Sequence, residues 1–215
     1  MSVIIGLTGY AGCGKDTIAD ILRDEFGFTK ASFAGPLKRE VAEAFGLTPG
    51  DVTFLEDRET KERPLLRMAL EECADPGFIA CLLEGAGLSG SQLLTELTAR
   101  RSYRWVLQRW GTEYRRAQSP TYWIDRAAEV IAGVERVVFT DTRFPNEAEF
   151  IRRAGGTLWH IHRPEVSVVE EHVSNQQLAE GDGDTILTNN GTIDSLTRAV
   201  IRHMEDKYAL DRTGK

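Results

Sequence analysis

Val3-Ile4-Ile5-Gly6-Leu7-Thr8-Gly9-Tyr10-Ala11-Gly12-Cys13-Gly14-Lys15-Asp16-Thr17-Ile18 is the stretch on which the reading of this chain turns. Val3 to Thr8 is a short apolar run rich in β-branched residues, and from Lys15 to Phe26 the apolar residues fall at helical spacing, which predicts strand, loop, helix. The loop fits the Walker A spacing, a glycine, four residues, then Gly14-Lys15. Its glycines let the backbone N–H groups of Ala11, Gly12, Cys13 and Gly14 turn inward. The helix N-terminus adds a partial positive charge, and Lys15 can reach β and γ phosphates as a point charge. A glycine-rich turn with Lys15 on the surface would leave the same trace. The position after the lysine, usually a metal-holding hydroxyl, is Asp16, followed by Thr17. A carboxylate there suits Mg²⁺ or its bound water, or it is simply a favourable acid in a first helical turn.

Working outward, Thr29 to Phe33 reads as a second strand, with Pro36 in the first turn of a helix that Gly46 ends. Residues 47–102 carry prolines and glycines between short helical stretches, which predicts a helical insertion. Helices follow at Tyr103 to Arg116 and Tyr122 to Ala132, a strand at Val137 to Phe139, a helix at Glu147 to Ala154 and a strand at Leu158 to Ile161. A last strand and helix, Thr185 to Leu187 and Ile193 to Tyr208, complete the pattern. Strands alternating with helices predict an α/β, three-layer P-loop NTPase fold: a parallel sheet flanked by helices, ligands at its carboxyl edge. One domain of 215 residues is the expectation.

Asp141 closes the Val137 to Phe139 strand, the Walker B position, where it would help fix Mg²⁺. Arg143 could bridge a transferring phosphoryl group, and Glu147, in the first turn after Pro145, is a candidate partner of the metal or of the arginine. A turn acid and a dipole-favoured acid are the plainer alternatives. Arg100, Arg101, Arg104, Arg109, Arg115 and Arg116 crowd one stretch of an acidic chain of net charge −7. At about 100° per residue, Arg104, Gln108, Gly111, Thr112 and Arg115 share a polar stripe, while Tyr103, Val106, Leu107, Trp110 and Tyr114 form an apolar one. An arginine, an amide and a glycine that leaves room for a ring are what a nucleotide site requires; surface ion pairs are the competing reading. Lys38, in Ser32 to Lys38 after the second strand, could meet an acceptor phosphate or lie on the surface. Trp123 could stack a base or pack in the core. Residues 163–184 read as a lid carrying Arg163 toward the phosphates.

Interspersed charges exclude a basic arm for polynucleotides. An odd count of cysteines, Cys13, Cys73 and Cys81, without metal spacing suggests reduced thiols and a cytoplasmic protein. No charged leader or long apolar run suggests secretion or a membrane span.

Together Gly9 to Thr17 with its Gly-Lys-Asp-Thr ending, Ser32 to Lys38, Arg58 to Pro64, Leu-Gln-x-x-Gly-Thr-Glu within Arg104 to Arg116, and Asp141 to Glu147 as Asp-x-Arg-Phe-Pro-Asn-Glu resemble the bacteriophage-type deoxynucleoside monophosphate kinase family. The resemblance implies ATP as donor, Mg²⁺ as cofactor, a deoxynucleoside monophosphate as acceptor and a homodimer. It implies Asp16, Thr17, Asp141, Arg143 and Glu147 around the metal and the transferring group. Around the acceptor it implies Lys38, Arg104, Gln108, Gly111, Thr112 and Trp123. Residues 65–100 match no piece of it, and Asn175 stands where an acid is expected. The rival functions are another small-molecule kinase of this fold, such as a phosphomevalonate or dephospho-coenzyme A kinase, a nucleotide-dependent switch ATPase, and a binding module with an inactive phosphate loop.

Overall fold

The computed structural model describes residues 2–84, 86–164, 178–210 and 212. The predicted lid therefore lies largely outside the described residues, as do Glu170, Glu171, His172 and Asn175. The chain divides into two compact units, residues 1–33 with 124–215, and residues 34–123.

The first unit is built on five parallel strands, β1 (Val3–Thr8), β2 (Thr29–Ala31), β3 (Arg136–Phe139), β4 (Thr157–His162) and β5 (Thr185–Thr188), in the order β2-β3-β1-β4-β5. Successive side chains of a strand point to opposite faces, so continuous apolar runs are buried on both. Ile5, Leu7, Val138, Trp159, Ile161 and Leu187 pack on one face against α1 (Lys15–Phe26) and α10 (Ile193–Tyr208). Ile4, Ala31, Val137, Phe139 and Leu158 pack on the other against α8 (Tyr122–Ile131) and α9 (Pro145–Arg153). This is the three-layer α/β arrangement that the alternation predicts. The chain crosses from one side of β1 to the other after β3, which makes the carboxyl edge of β1 the switch point where such sheets bind ligands.

Local chemistry sets the ends. Gly27 closes α1 in a left-handed conformation, its N–H reaching Arg23 O and Leu22 O. Thr192 opens α10 by accepting the Ser195 N–H. β2 stops two residues before the expected Phe33, whose N–H is given to a side chain instead.

The second unit is helical and contains the expected insertion: α2 (Ala34–Ala44), α3 (Pro49–Glu56), α4 (Arg58–Lys61), α5 (Pro76–Leu83), α6 (Gly90–Thr98) and α7 (Tyr103–Gln108), with two short 3₁₀ turns at 66–68 and 70–72. The predicted helix from Tyr103 to Arg116 changes pitch midway, and Arg109–Arg116 is a π-helix. Tyr103, Val106, Leu107, Trp110 and Tyr114 are core, as their stripe requires, with Val41, Leu55, Met68 and Phe78.

Candidate active site

In the first unit, the loop from Gly9 to Gly14 carries the chain out of β1 and into α1, with Gly9, Gly12 and Gly14 all at positive φ. Lys15 Nζ folds back over that loop, donating to the carbonyls of Gly9 and Tyr10 at 2.8 Å each and lying 3.7 Å from Cys13 Sγ. Burial pushes the Lys15 ammonium below its ordinary value, the Cys13 thiol pushes it back up and the Arg143 guanidinium lowers it further. Lys15 and Arg143 therefore share one electrostatic neighbourhood. β1 and β3 run in parallel register, Gly6 beside Phe139, so Asp141, two residues past Phe139, stands at the same sheet edge as the loop after Thr8. Its two oxygens are taken by Ser32 Oγ at 2.8 Å and the Phe33 N–H at 2.9 Å. Glu147 is 2 % exposed and turns back onto its own helix start, Oε2 accepting the N–H groups of Arg143 at 2.8 Å and Phe144 at 3.0 Å. It is thus a partner of Arg143 through the backbone. The Arg143 side chain is exposed. Asp16 is exposed and Thr17 half-buried at the start of α1, and Arg163 is exposed immediately after β4.

Among the described residues no three His, Cys, Asp or Glu side chains converge as a metal cage. A magnesium ion on a nucleotide takes one or two protein oxygens and keeps the rest of its shell from phosphates and water. Asp141, Thr17 and Asp16 are oxygen donors of that kind.

The residues expected at the acceptor all lie in the second unit except that their setting differs from expectation. Lys38 Nζ meets Glu56 at 2.8 Å, Arg104 pairs with Glu62, and Arg115 Nε meets Glu40 at 2.9 Å. Here the competing explanation, arginines in ion pairs, describes what is seen. Gly111 is buried, and a Cβ there would come within 3.2 Å of Leu37, so the room expected for a ring is filled. Trp123 is 2 % exposed and gives its indole N–H to Gly111 O at 3.1 Å, so it packs in the core and offers no stacking face. Gln108 and Thr112 are half-buried on the π-helical side of the unit.

The model of a family described as "Deoxynucleotide monophosphate kinase" matches residues 89–200. A deoxynucleoside-5'-monophosphate kinase of Escherichia phage T5 is 30% identical over 71% of this chain and 72% of its own. The chain belongs to the deoxynucleotide monophosphate kinase family. A deoxynucleotide monophosphate kinase of Enterobacteria phage T4 is 24% identical over 90% of this chain and 95% of its own. An unliganded sugar kinase from Janibacter superposes with a TM-score of 0.40 at 17% identity, covering 97% of each chain, too distant a likeness to bear on the site.

Three residues of this kinase escaped sequence reasoning. Ser32, one residue past β2, holds Asp141. Glu40 gathers Trp110 Nε1, Arg115 Nε and Tyr122 OH at 3.0, 2.9 and 2.6 Å. Asn189 gives its amide to Cys13 O at 2.9 Å. Only Ser32 had a signal, its position just past a strand at the ligand edge.

Proposed function

We propose that this chain transfers the γ-phosphoryl group of ATP to a deoxynucleoside monophosphate. An acceptor phosphate oxygen attacks Pγ, the bond from Pγ to the β-phosphate bridging oxygen breaks, and a deoxynucleoside diphosphate and ADP leave. One observation carries the reading: the Lys15 ammonium, the Asp141 carboxylate and the Arg143 backbone, fixed by Glu147, stand at one sheet edge beside the glycine loop. Phosphoryl transfer asks for little covalent chemistry and much fixed charge. Ala11 to Gly14 would bind the phosphates through the backbone, and Lys15 would leave its two carbonyls for phosphate oxygens. Arg143 would neutralise the transferring group and Arg163 would approach the ATP phosphates. Asp141, with Asp16 and Thr17, would hold Mg²⁺, which when bound neutralises charge on the phosphate oxygens.

Lys38, Arg104, Gln108 and Thr112 belong in the same proposal as the acceptor side, the two cations exchanging Glu56 and Glu62 for phosphate. Family membership favours a deoxynucleotide over the acceptors of other small-molecule kinases. Among the described residues no helix is long and apolar enough to cross a membrane. We place the enzyme in the cytoplasm as a homodimer, the assembly that the sequence resemblance implies and that sedimentation tests.

The decisive experiment is a coupled assay over the deoxy- and ribonucleoside monophosphates with Mg²⁺ present and withheld. Metal-dependent ADP formation that requires a deoxynucleotide is the expected result. ADP formation that is indifferent to every acceptor would replace the proposal with an ATPase.

A further inference from the structure

The loop after β5 makes a direct contact with the phosphate loop. Asn189 is fixed twice: its backbone N–H is given to His162 O at 2.7 Å, extending the β4–β5 pairing by one residue, and its side-chain Nδ2 is given to Cys13 O at 2.9 Å. A peptide plane is rigid and trans, so the carbonyl of Cys13 and the N–H of Gly14 point in opposite directions. Holding Cys13 O toward Asn189 therefore aims the Gly14 N–H the other way. Among the described residues that N–H, and those of Lys15 and Asp16 behind it, meet no protein acceptor. These are the donors that a helix start offers to an anion. Position 14 is shaped by the same contact. Its φ is +105°, and a Cβ there would sit 2.5 Å from Asn189 Nδ2.

We infer that Asn189 is a positioning residue of the phosphate loop, fixing the Cys13–Gly14 peptide so that the amides of Gly14, Lys15 and Asp16 face the phosphates before they arrive. The inference rests on the phosphate-loop reading above and adds a role that does not involve the base. Only the amide end of the carboxamide can face a carbonyl, so loss of the donor is what matters.

Inorganic tripolyphosphate, which has phosphates and no base, separates this role from a contact with adenine. Binding of ATP and of tripolyphosphate, each with Mg²⁺, is measured by calorimetry on the full chain for wild type, Asn189→Ala and Asn189→Leu. Loss of one net hydrogen bond's worth of preorganisation weakens both ligands by about fivefold in Asn189→Ala. Asn189→Leu has a similar shape with no donor and no added charge, so it weakens both at least as much and carries the test should the alanine variant not fold. The KM for the deoxynucleotide acceptor stays unchanged in both variants, a split that general loosening of the fold would not give. Weakened ATP with unchanged tripolyphosphate would overturn the inference in favour of a base contact, and unchanged binding of both would overturn it outright. If the phosphate-loop reading itself is wrong, wild type binds neither ligand and Lys15→Ala changes nothing, a pattern distinct from either.

Discussion

Asp141 is held in place by its own neighbours before any ligand is considered. Ser32 Oγ and the Phe33 N–H each address a different oxygen; an amide could keep both contacts, its oxygen accepting from Phe33 and its nitrogen donating to the Ser32 hydroxyl, but it carries no negative charge to offer a metal or a cation. Asp141→Asn should therefore lower kcat by at least about 100-fold, the scale of losing one fixed electrostatic contact to a transition state. The coupled assay reads it, and an activity within about threefold of wild type would remove Asp141 from the chemistry. Glu147 makes a different prediction because it acts on the backbone. Glu147→Ala takes the buried acceptor away from two partly buried N–H groups, which costs about 1–3 kcal/mol in urea denaturation, and it frees the Arg143 backbone. Tyr103 shows the opposite sign. Its hydroxyl is buried without a hydrogen-bond partner among the described residues, and burial, with the Glu56 charge, pushes its pKa up to about 12. Tyr103→Phe removes a polar group that nothing satisfies, so thermal unfolding should be unchanged or move upward.

At the scale of elements, Glu40 joins α2 to the π-helical stretch through Trp110 and Arg115, and to the start of α8 through Tyr122. The Arg115 guanidinium also lies 4.4 Å from the centre of the Tyr114 ring. Glu40→Ala removes the carboxylate that three donors share, one of them charged, and is expected to cost about 3 kcal/mol; Glu40→Gln, which can still accept, should recover part of that in the same denaturation series. Elements of this kind differ in how visible they are in sequence. α1 and α10 could be delimited to the residue because Gly27 and Thr192 punctuate an unbroken 3.6-residue pattern. The sheet was legible because apolar runs without alternation are what a strand buried on both faces requires. The π-helix was not, since Tyr103, Val106, Leu107, Trp110 and Tyr114 fit an α-helical stripe equally well, and the wider turn is a matter of hydrogen-bond pairing that composition does not record. Trp123 was ambiguous for a related reason: an aromatic residue at a helix start reads alike whether it faces a ligand or Gly111. The site divides the same way. Lys15 and Asp141 are marked by local context, whereas Asn189 meets Cys13 across 176 residues of sequence and carries no local mark beyond that of a turn.

For the molecule as a whole, acid should act on the sheet unit in two steps. His203, on α10, packs edge-on against Trp159, whose ring centre is 4.9 Å away, with Tyr208 beyond it, and its Nε2 lies 3.1 Å from Thr185 Oγ1. Burial lowers its pKa below the ordinary 6.5, Lys207 lowers it further and Asp206 opposes them. Between that lowered value and 6.5 the unfolded chain binds more protons than the folded one. Stability therefore rises with pH through this window and levels off above it. Asp184 behaves as a carboxylate held low: burial alone would raise it, but Arg152, His160 and the Gly181 N–H together bring it below the ordinary 3.8. Its contribution is complete above 3.8 and is lost only as pH falls through the lowered value. Urea midpoints followed from pH 7.5 to pH 3 should thus decline first below about 6.5 and again below about 4. In His203→Phe, which keeps the ring contact with Trp159 and cannot be protonated, the first decline should flatten while the second remains. If the wild-type and His203→Phe curves stay parallel across the upper window, His203 is not the group whose protonation opposes the fold.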